Sequence, residues 1–365
     1  VLEKYQYLEK KERAFITRVT EGTLEHMIEL DYILNQFSKV KVNKMKPVIR
    51  NILRSAVYQL KYMDSVPDSA VCNEAVKLAV KKGFGTLRGF VNGVLRNVAR
   101  GLDQVEYPTE GIERLSVVYS MPEWILKLWK KTYDLDVIES MLQAFQEETP
   151  VTIRCNLAKT TPENLKESLQ KEGVTVTPHP YLSYAFWIQD YDHLSELESF
   201  QKGEFYVQDI SSMLVGELAD PKKGDRVIDV CAAPGGKALH VAEKLRGTGS
   251  VEARDLSLYK VGLITENIER SGLTNIHAVQ KDATVCDADV KDAADLVIAD
   301  LPCSGLGVLA KKTDLKYKAT EQSTKELAGL QREILKNAAS YVRPGGTLIY
   351  STCTINPAEN IENVH

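Results

Sequence analysis

Two cysteines, Cys303 and Cys353, each directly follow a short apolar run that reads as a buried strand. The first run is Leu296-Val297-Ile298-Ala299-Asp300, leading into Leu301-Pro302-Cys303-Ser304-Gly305. The second is Gly346-Thr347-Leu348-Ile349-Tyr350, leading into Ser351-Thr352-Cys353-Thr354. In an open α/β sheet, ligands bind outside the carboxyl ends of the strands. Two thiols at two such ends rim one pocket if their strands are neighbours, because adjacent strands lie ~4.8 Å apart. A thiol in that position is a candidate nucleophile. For either cysteine taken singly, the commoner fate is a buried, inert core thiol.

The elements that must position this pair run from Gly224 onward as strand, glycine turn and helix, repeated. Val227–Val230 is a strand, followed by Cys231-Ala232-Ala233-Pro234-Gly235-Gly236-Lys237 and a helix through Leu245. Ser250–Ala253 is a second strand ending near Asp255, Tyr259–Ser271 a helix, and Ile276–Val279 a third strand ending near Asp282. The two cysteine-bearing strands follow, separated by a helix over 324–341. This alternation predicts a doubly wound parallel sheet with covering helices.

The small side chains of 231–237 let a ligand approach the backbone, and the helix that follows offers free N–H groups. The turn is not a phosphate-binding P-loop, which needs Gly at 231 and Ser or Thr at 238, where this chain has Cys231 and Ala238. A GxGxxG fingerprint is also missing. An acid after the second strand, Asp255, can accept from ribose hydroxyls. An acid after the third, Asp282, can take an adenine amino group. Each alone is more often a cap or a solvated loop residue. Together with the loop they indicate an adenosine-containing ligand without a phosphate tail, and S-adenosylmethionine fits.

The rest of the chain reads differently. Residues 1–100 are helical: apolar spacing predicts one helix over 13–34, Pro47 opens another, and 69–82 and 87–100 complete the set. They carry 18 Lys+Arg against 10 Asp+Glu, a net of +8, while the remainder carries a net of −12. Lys39, Lys41, Lys44, Lys46 and Arg50, then Arg88 and Arg96, bunch around loops and helix ends, a pattern that suits phosphate contact. The bland alternative is the solvated face of a helical domain. Residues 101–113 read as a linker. Helices and strands then alternate through 120–207, among them strands at 151–155, 174–176 and 205–207, which suits a small α+β module of RNA-recognition type. No clear aromatic RNP signature accompanies it.

A length of 365 residues predicts two or three domains, here 1–104, 105–207 and 208–365. No apolar run approaches the ~20 residues that span a bilayer. The six cysteines are scattered without a CxxC pair, which argues against zinc and against a disulfide framework and suits a reducing cytoplasm.

Taken together, Asp229-Val-Cys-Ala-Ala-Pro-Gly-Gly-Lys237-Ala-Leu-His240, Asp300-Leu-Pro-Cys-Ser-Gly305 and Ser351-Thr-Cys-Thr354 resemble the RNA cytosine-5 methyltransferases of the Sun/RsmB and Nop2 group. Residues 1–100, with Gly89-Phe-Val-Asn-Gly-Val-Leu-Arg96, look like a NusB domain. The resemblance implies a Rossmann-like class I methyltransferase sheet after an all-α NusB-like domain and a small α+β RNA-binding module. It implies S-adenosylmethionine contacts by Cys231, Ala232, Ala233, Pro234, Gly235, Gly236, Lys237, Asp255, Asp282 and Asp300. It implies Cys353 as nucleophile and Cys303 as the group that assists product release. Members of the family continue through further strands, so a chain running from Val1 to His365 is expected to be truncated.

The implied reaction is methylation of carbon 5 of a cytosine in small-subunit (16S) ribosomal RNA, by a cytoplasmic monomer without metal. Thiolate addition at carbon 6 makes carbon 5 enamine-like, and Asp300 hydrogen-bonded at the N3 edge would stabilise the adduct. Pro302-Cys303 also resembles the Pro-Cys nucleophile of DNA cytosine methyltransferases. Chemistry alone leaves open which cysteine attacks, and the family resemblance favours Cys353. A transfer-RNA methyltransferase and a non-catalytic NusB-like RNA-binding factor are the rival readings.

Overall fold

A computed structural model describes residues 2–5, 7–147 and 149–364. Contacts divide the chain into two compact units, 1–147 with 308–320, and 148–307 with 321–365.

The first unit is helical: α1 (Lys10–Glu25), α2 (Met27–Phe37), α3 (Pro47–Tyr62), α4 (Asp68–Lys81), α5 (Arg88–Gly101), α6 (Gly111–Val118), α7 (Glu123–Trp129) and α8 (Leu135–Gln146). The helix expected over 13–34 is two helices, because the chain breaks at His26 (φ −96°, ψ 16°). That ring lies 4.2 Å from the Tyr62 ring, tilted by 30°, with Nδ1 3.4 Å from Glu29. Just before the break, a side chain at Gly22 would collide with the Tyr58 ring. Leu30, Ile33 and Leu34 of α2 pack on Ile49, Leu53 and Val57 of α3 and on Val91, Leu95 and Val98 of α5. Burying these stripes, at about 25 cal/mol per Å² of apolar surface, drives the bundle together.

The second unit opens with β1 (Val151–Cys155), α9 (Pro162–Lys171), β2 (Thr175–Pro178), β3 (Ala185–Gln189), α10 (Glu198–Gln201) and β4 (Phe205–Val207). Its strands form an antiparallel sheet in the order β2-β3-β1-β4. Thr161 caps α9 by accepting from the Asn164 N–H, and Pro162 stands in the first turn. β3 was not anticipated, although its Ala-Phe-Trp-Ile run ends at Asp190 with φ +66°.

Then come α11 (Ile210–Ala219), β5 (Arg226–Asp229), α12 (Gly236–Lys244), β6 (Ser250–Asp255), α13 (Leu258–Ser271), β7 (Ile276–Gln280) and β8 (Ala294–Asp300). The chain joins the first unit over 308–320, including α14 (Leu315–Lys318). It returns through α15 (Glu321–Tyr341), β9 (Val342–Ser351) and α16 (Ile361–Val364). The strands pair in parallel in the order β7-β6-β5-β8-β9. The central strands β5 and β8 are buried and read as continuous apolar runs, as parallel strands covered on both faces do. Order reverses between β5 and β8, the switch point where such sheets open a crevice. Among the described residues no helix is long and apolar enough to cross a membrane.

Candidate active site

The two cysteine-bearing strands are neighbours. The β8–β9 register pairs Asp300 with Ser351, so the loops after both strands start level. The Cys303 and Cys353 sulfurs are 3.2 Å apart, and the Cys353 N–H donates to the Cys303 sulfur at 3.2 Å. Cys303 is half-buried and Cys353 exposed. The contact with Cys353, then burial, pushes the Cys303 thiol far above its ordinary range. A thiol held protonated in this way is a poor nucleophile, and of the two sulfurs Cys353 is the more accessible. Gly307 closes the arrangement: its N–H donates to the Cys353 carbonyl at 3.0 Å, and a Cβ there would lie 2.9 Å from that oxygen. The other cysteines behave differently. Burial pushes Cys155 and Cys231 up to about 12 and also raises Cys72, while Cys286 is exposed, its sulfur 3.9 Å from the Ser340 hydroxyl.

Asp300 lies beside the pair with both oxygens engaged. Lys237 Nζ donates to Oδ2 at 2.6 Å and Ser351 Oγ to Oδ1 at 2.7 Å. Asp229 and Asp255 end β5 and β6, and Asp282 lies two residues beyond β7. Carboxylates therefore stand at the carboxyl ends of four adjacent strands. Asp255 accepts from the N–H groups of Ala233 (3.2 Å) and Leu256 (2.8 Å), with Lys260 3.2 Å away. Exposed Asp282 folds back on Thr284, accepting from its N–H and hydroxyl, and these bonds hold its carboxyl below the usual range. Asp229 is buried and accepts from the Cys231 N–H, but its Oδ2 has no partner. Burial, reinforced by Asp300, pushes it up to about 7.

The 231–237 turn sits against this rim. Gly235 has φ +107°, a conformation open to glycine, and leads directly into α12. Asn267 of α13 steadies the turn by donating to the Pro234 carbonyl at 3.0 Å. A row of acids, an unpartnered buried carboxylate oxygen and a helix N-terminus suit a ligand that carries hydroxyls, amino groups and positive charge. The residues present fit S-adenosylmethionine. Lys237 was expected on the cofactor alone and is joined to Asp300.

In the helical unit, Lys39, Lys41, Lys44 and Lys46 lie exposed between α2 and α3, Arg50 is half-buried in α3, and Arg88 and Arg96 are exposed on α5. Among the described residues none of the seven forms an ion pair.

Several residues at the thiol loops went unnoticed in the sequence: Ser304, Gln331, Ser351, Thr354, Asn356 and Glu359. Ser351 and Thr354 flank Cys353 in a quoted motif. Gln331 and Glu359 carry no local signal.

Comparison with known proteins accounts for nearly the whole length. The profile of the NusB family matches residues 2–100, that of the RsmF/B-like ferredoxin-like methyltransferase domain 121–191, and that of 16S rRNA methyltransferase RsmB/F 217–365. Probable ribosomal RNA small subunit methyltransferase B of Bacillus subtilis (strain 168) is 37% identical, over 99% of this chain and 81% of that protein. The protein of the same name from Synechocystis sp. is 34% identical, over 97% and 80%. The crystal structure of PH0851 superposes with a TM-score of 0.84 at 25% identity, covering 99% of this chain and 82% of that one. NSun6 from Pyrococcus horikoshii, solved with SFG, gives a TM-score of 0.61 at 27% identity, covering 67% and 86%. An identity of 37% sustained across four-fifths of a curated relative is ample, and the chain belongs to the ribosomal RNA small subunit methyltransferase B family.

Proposed function

We propose that this protein transfers a methyl group to carbon 5 of a specific cytosine in small-subunit (16S) ribosomal RNA through a covalent cysteine adduct. The observation that carries the reading is the pair of sulfurs 3.2 Å apart beside Asp300. The cofactor turn lies at the end of the adjoining strand. S-adenosylmethionine supplies an electrophilic methyl group when bound. Cys231, Ala232, Ala233, Pro234, Gly235, Gly236 and Lys237 cradle it, with Asp255, Asp282 and Asp300 as polar contacts.

Cys353 adds to carbon 6 of the cytosine, so that carbon 5 becomes nucleophilic, and Asp300 holds the N3 edge. Covalent catalysis of this kind replaces one difficult step by two easier ones. After methylation a base takes the carbon 5 proton, the carbon–sulfur bond breaks and Cys353 leaves as thiolate. Cys303, its sulfur 3.2 Å from the leaving one, assists that release. The target base must leave its stack to reach the thiols, which favours an unpaired cytosine.

The division of labour runs 1–104 for RNA backbone binding, 105–207 for RNA positioning and 208–365 for methyl transfer. Lys39, Lys41, Lys44, Lys46, Arg50, Arg88 and Arg96 meet phosphates. The enzyme acts in the cytoplasm as a monomer, without metal.

The test is a pair of variants incubated with target RNA and run on denaturing gels. Cys353→Ala abolishes methylation and forms no adduct, whereas Cys303→Ala accumulates a covalent RNA–protein species. An adduct trapped by Cys353→Ala instead would reverse the assignment. Bisulfite sequencing of ribosomal and transfer RNA from cells lacking the protein identifies the substrate, and a lost transfer-RNA mark would sink the ribosomal reading.

A further inference from the structure

We infer that Glu359 is a positioning residue that locks the two thiol loops together and thereby sets the separation of Cys303 and Cys353. This rests on the assignment of both thiols to methyl transfer. Glu359 is completely buried, six residues beyond Cys353. Its Oε1 accepts from the Ser304 N–H at 2.8 Å and from Gln331 Nε2 at 3.2 Å. Its Oε2 accepts from the Ser304 hydroxyl at 2.6 Å and from Asn356 Nδ2 at 2.9 Å. Ser304 is the residue after Cys303, and Asn356 lies three residues after Cys353. One carboxylate therefore grips both loops.

The grip is reinforced on each side. The Ser304 and Thr354 hydroxyls are 2.8 Å apart across the loops, and the Asn356 N–H donates to the Thr354 hydroxyl at 3.2 Å. Gln331 of α15 also donates to the Pro302 carbonyl at 2.7 Å, holding the residue before Cys303. Both neighbours of Cys303 are thus tied to the same buried cluster.

The residue type matters. Among the described residues no Lys, Arg or His forms an ion pair with Glu359, so its charge is met by hydrogen bonds alone. Burying a charge in that way is costly and tolerable only when every lone pair is used. Four donors converge on two oxygens, and only a carboxylate offers two acceptors in that fork. A glutamine would turn an NH₂ toward either the Ser304 N–H and Gln331, or the Ser304 hydroxyl and Asn356. The serine hydroxyl can rotate to accept. The Asn356 amide must flip, which costs its Oδ1 the Ala358 N–H at 3.3 Å. Substitution therefore disturbs the loop on the Cys353 side while leaving the sheet and the cofactor turn intact.

The experiment uses the full chain and two independent readouts. The first is oxidation by diamide, which takes two electrons and two protons from the thiols as the Cys303–Cys353 disulfide forms. Peptide mass spectrometry follows its rate. The second is methyl transfer to ribosomal RNA, separated into kcat and KM. Loss of alignment on the order of 1 Å costs about 100-fold in rate. Glu359→Gln is expected to lower kcat by about that factor with KM for RNA and cofactor within threefold, and to slow disulfide formation at least tenfold. Circular dichroism checks that the variant is folded. If it is not, Ser304→Ala and Asn356→Ala, each removing one grip, are expected to slow both readouts severalfold. Wild-type disulfide rates in folded variants would overturn the inference. The oxidation readout needs no methyl transfer, so slowed cross-linking in a protein that methylates nothing would uphold the positioning role and reject the proposed reaction.

Discussion

Arg154 offers the sharpest test of how the small antiparallel sheet is fastened to the methyltransferase sheet. It is wholly buried on β1, with Nη1 3.0 Å from Glu243 of α12 and Nε 2.7 Å from the Gln208 oxygen. Its guanidinium lies 4.4 Å from the centre of the Tyr206 ring. Glu243 is itself buried. Arg154→Met keeps much of the stem volume and removes the charge, leaving Glu243 uncompensated. Breaking one side of such a buried pair costs about 3–5 kcal/mol, roughly two to four decades in the unfolding equilibrium. The cost has a pH signature. Burial already raises the Glu243 carboxyl, and Arg154 is the main influence opposing it. Without Arg154 the folded carboxyl titrates higher still, against 4.5 in the unfolded chain. A group that holds its proton more tightly when folded adds stability as pH falls toward the unfolded value. The penalty of Arg154→Met therefore shrinks as the pH falls toward 4.5, by up to about 1.4 kcal/mol per unit.

Urea unfolding of the full chain at pH values from 8 down to 5, followed by circular dichroism, measures this. The double variant Arg154→Met/Glu243→Gln removes the orphaned charge and is expected to regain most of the loss. Arg154 Nη2 has no hydrogen-bond partner, so the native pair is itself imperfectly compensated and the double variant has less to match. Three results would refute the reasoning: a penalty under about 1 kcal/mol at pH 8, a double variant as unstable as the single one, or a penalty independent of pH. The consequence for function is local. α12 begins at the cofactor turn, so a loosened Glu243 is expected to weaken cofactor binding before it affects RNA binding.

Three further expectations follow from titratable groups and surface charge. Burial, then Arg154 and Lys244, depresses His240 to about 2, while the nearby Glu217 (3.6 Å) is occupied by Lys244 and Tyr184. The unfolded imidazole takes a proton below ~6.5 and the folded one does not, so stability falls by up to about 1.4 kcal/mol per unit as pH drops from there. His240→Asn should flatten that slope in urea titrations between pH 4.5 and 7.5, and an unaltered slope rejects the assignment. Asp229 has the opposite sense: raised to about 7 from 3.8, it loses stability as pH rises through that window. Asp229→Asn should therefore gain up to about 4 kcal/mol at pH 8 relative to pH 4, and no gain would mean the carboxyl is not held protonated. Charge reversal at exposed Lys44 and Lys46 should weaken ribosomal RNA binding and lower the slope of log affinity against log salt by about 1.4 to 1.8, if each contacts one phosphate. Filter binding at several salt concentrations reads this, and an unchanged slope removes both lysines from the footprint.

Most of the parallel sheet was legible because its strands are local signals. Val227–Val230 and Leu296–Ala299 are covered on both faces, so they appear as unbroken apolar runs bounded by turn residues. The acids 255, 282 and 300 and both thiols follow at or just past strand ends, where chain order alone puts them on one rim, whereas Asp229 was read only as part of its strand. Features made by long-range packing were not legible. The break at His26 sets its ring against Tyr62, which is 36 residues away in the chain. The helices between 111 and 146 group with the N-terminal bundle, and 308–320 joins them there. Lys316 in that segment is buried, with its ammonium on the Glu25 carbonyl at 2.8 Å and pushed down to about 8 by burial. Nothing in the local sequence separates it from a solvated lysine.

The same distinction explains the thiol pair. Register brings Asp300 and Ser351 level, and strand spacing brings the two loops within reach, but neither fixes a sulfur separation of 3.2 Å. β9 is an edge strand whose residues are exposed or half-buried, so the sheet alone cannot clamp the loop that follows it. Rigidity has to come from outside the ladder. Gln331 of α15 and Glu359 of the turn 357–359 supply it, reaching in from both sides to bind backbone and side-chain groups next to the cysteines. A motif of cysteines at strand ends names the candidate reacting atoms. The buried carboxylate that holds them to a fixed distance is written six residues further on, where only the folded chain gives it meaning.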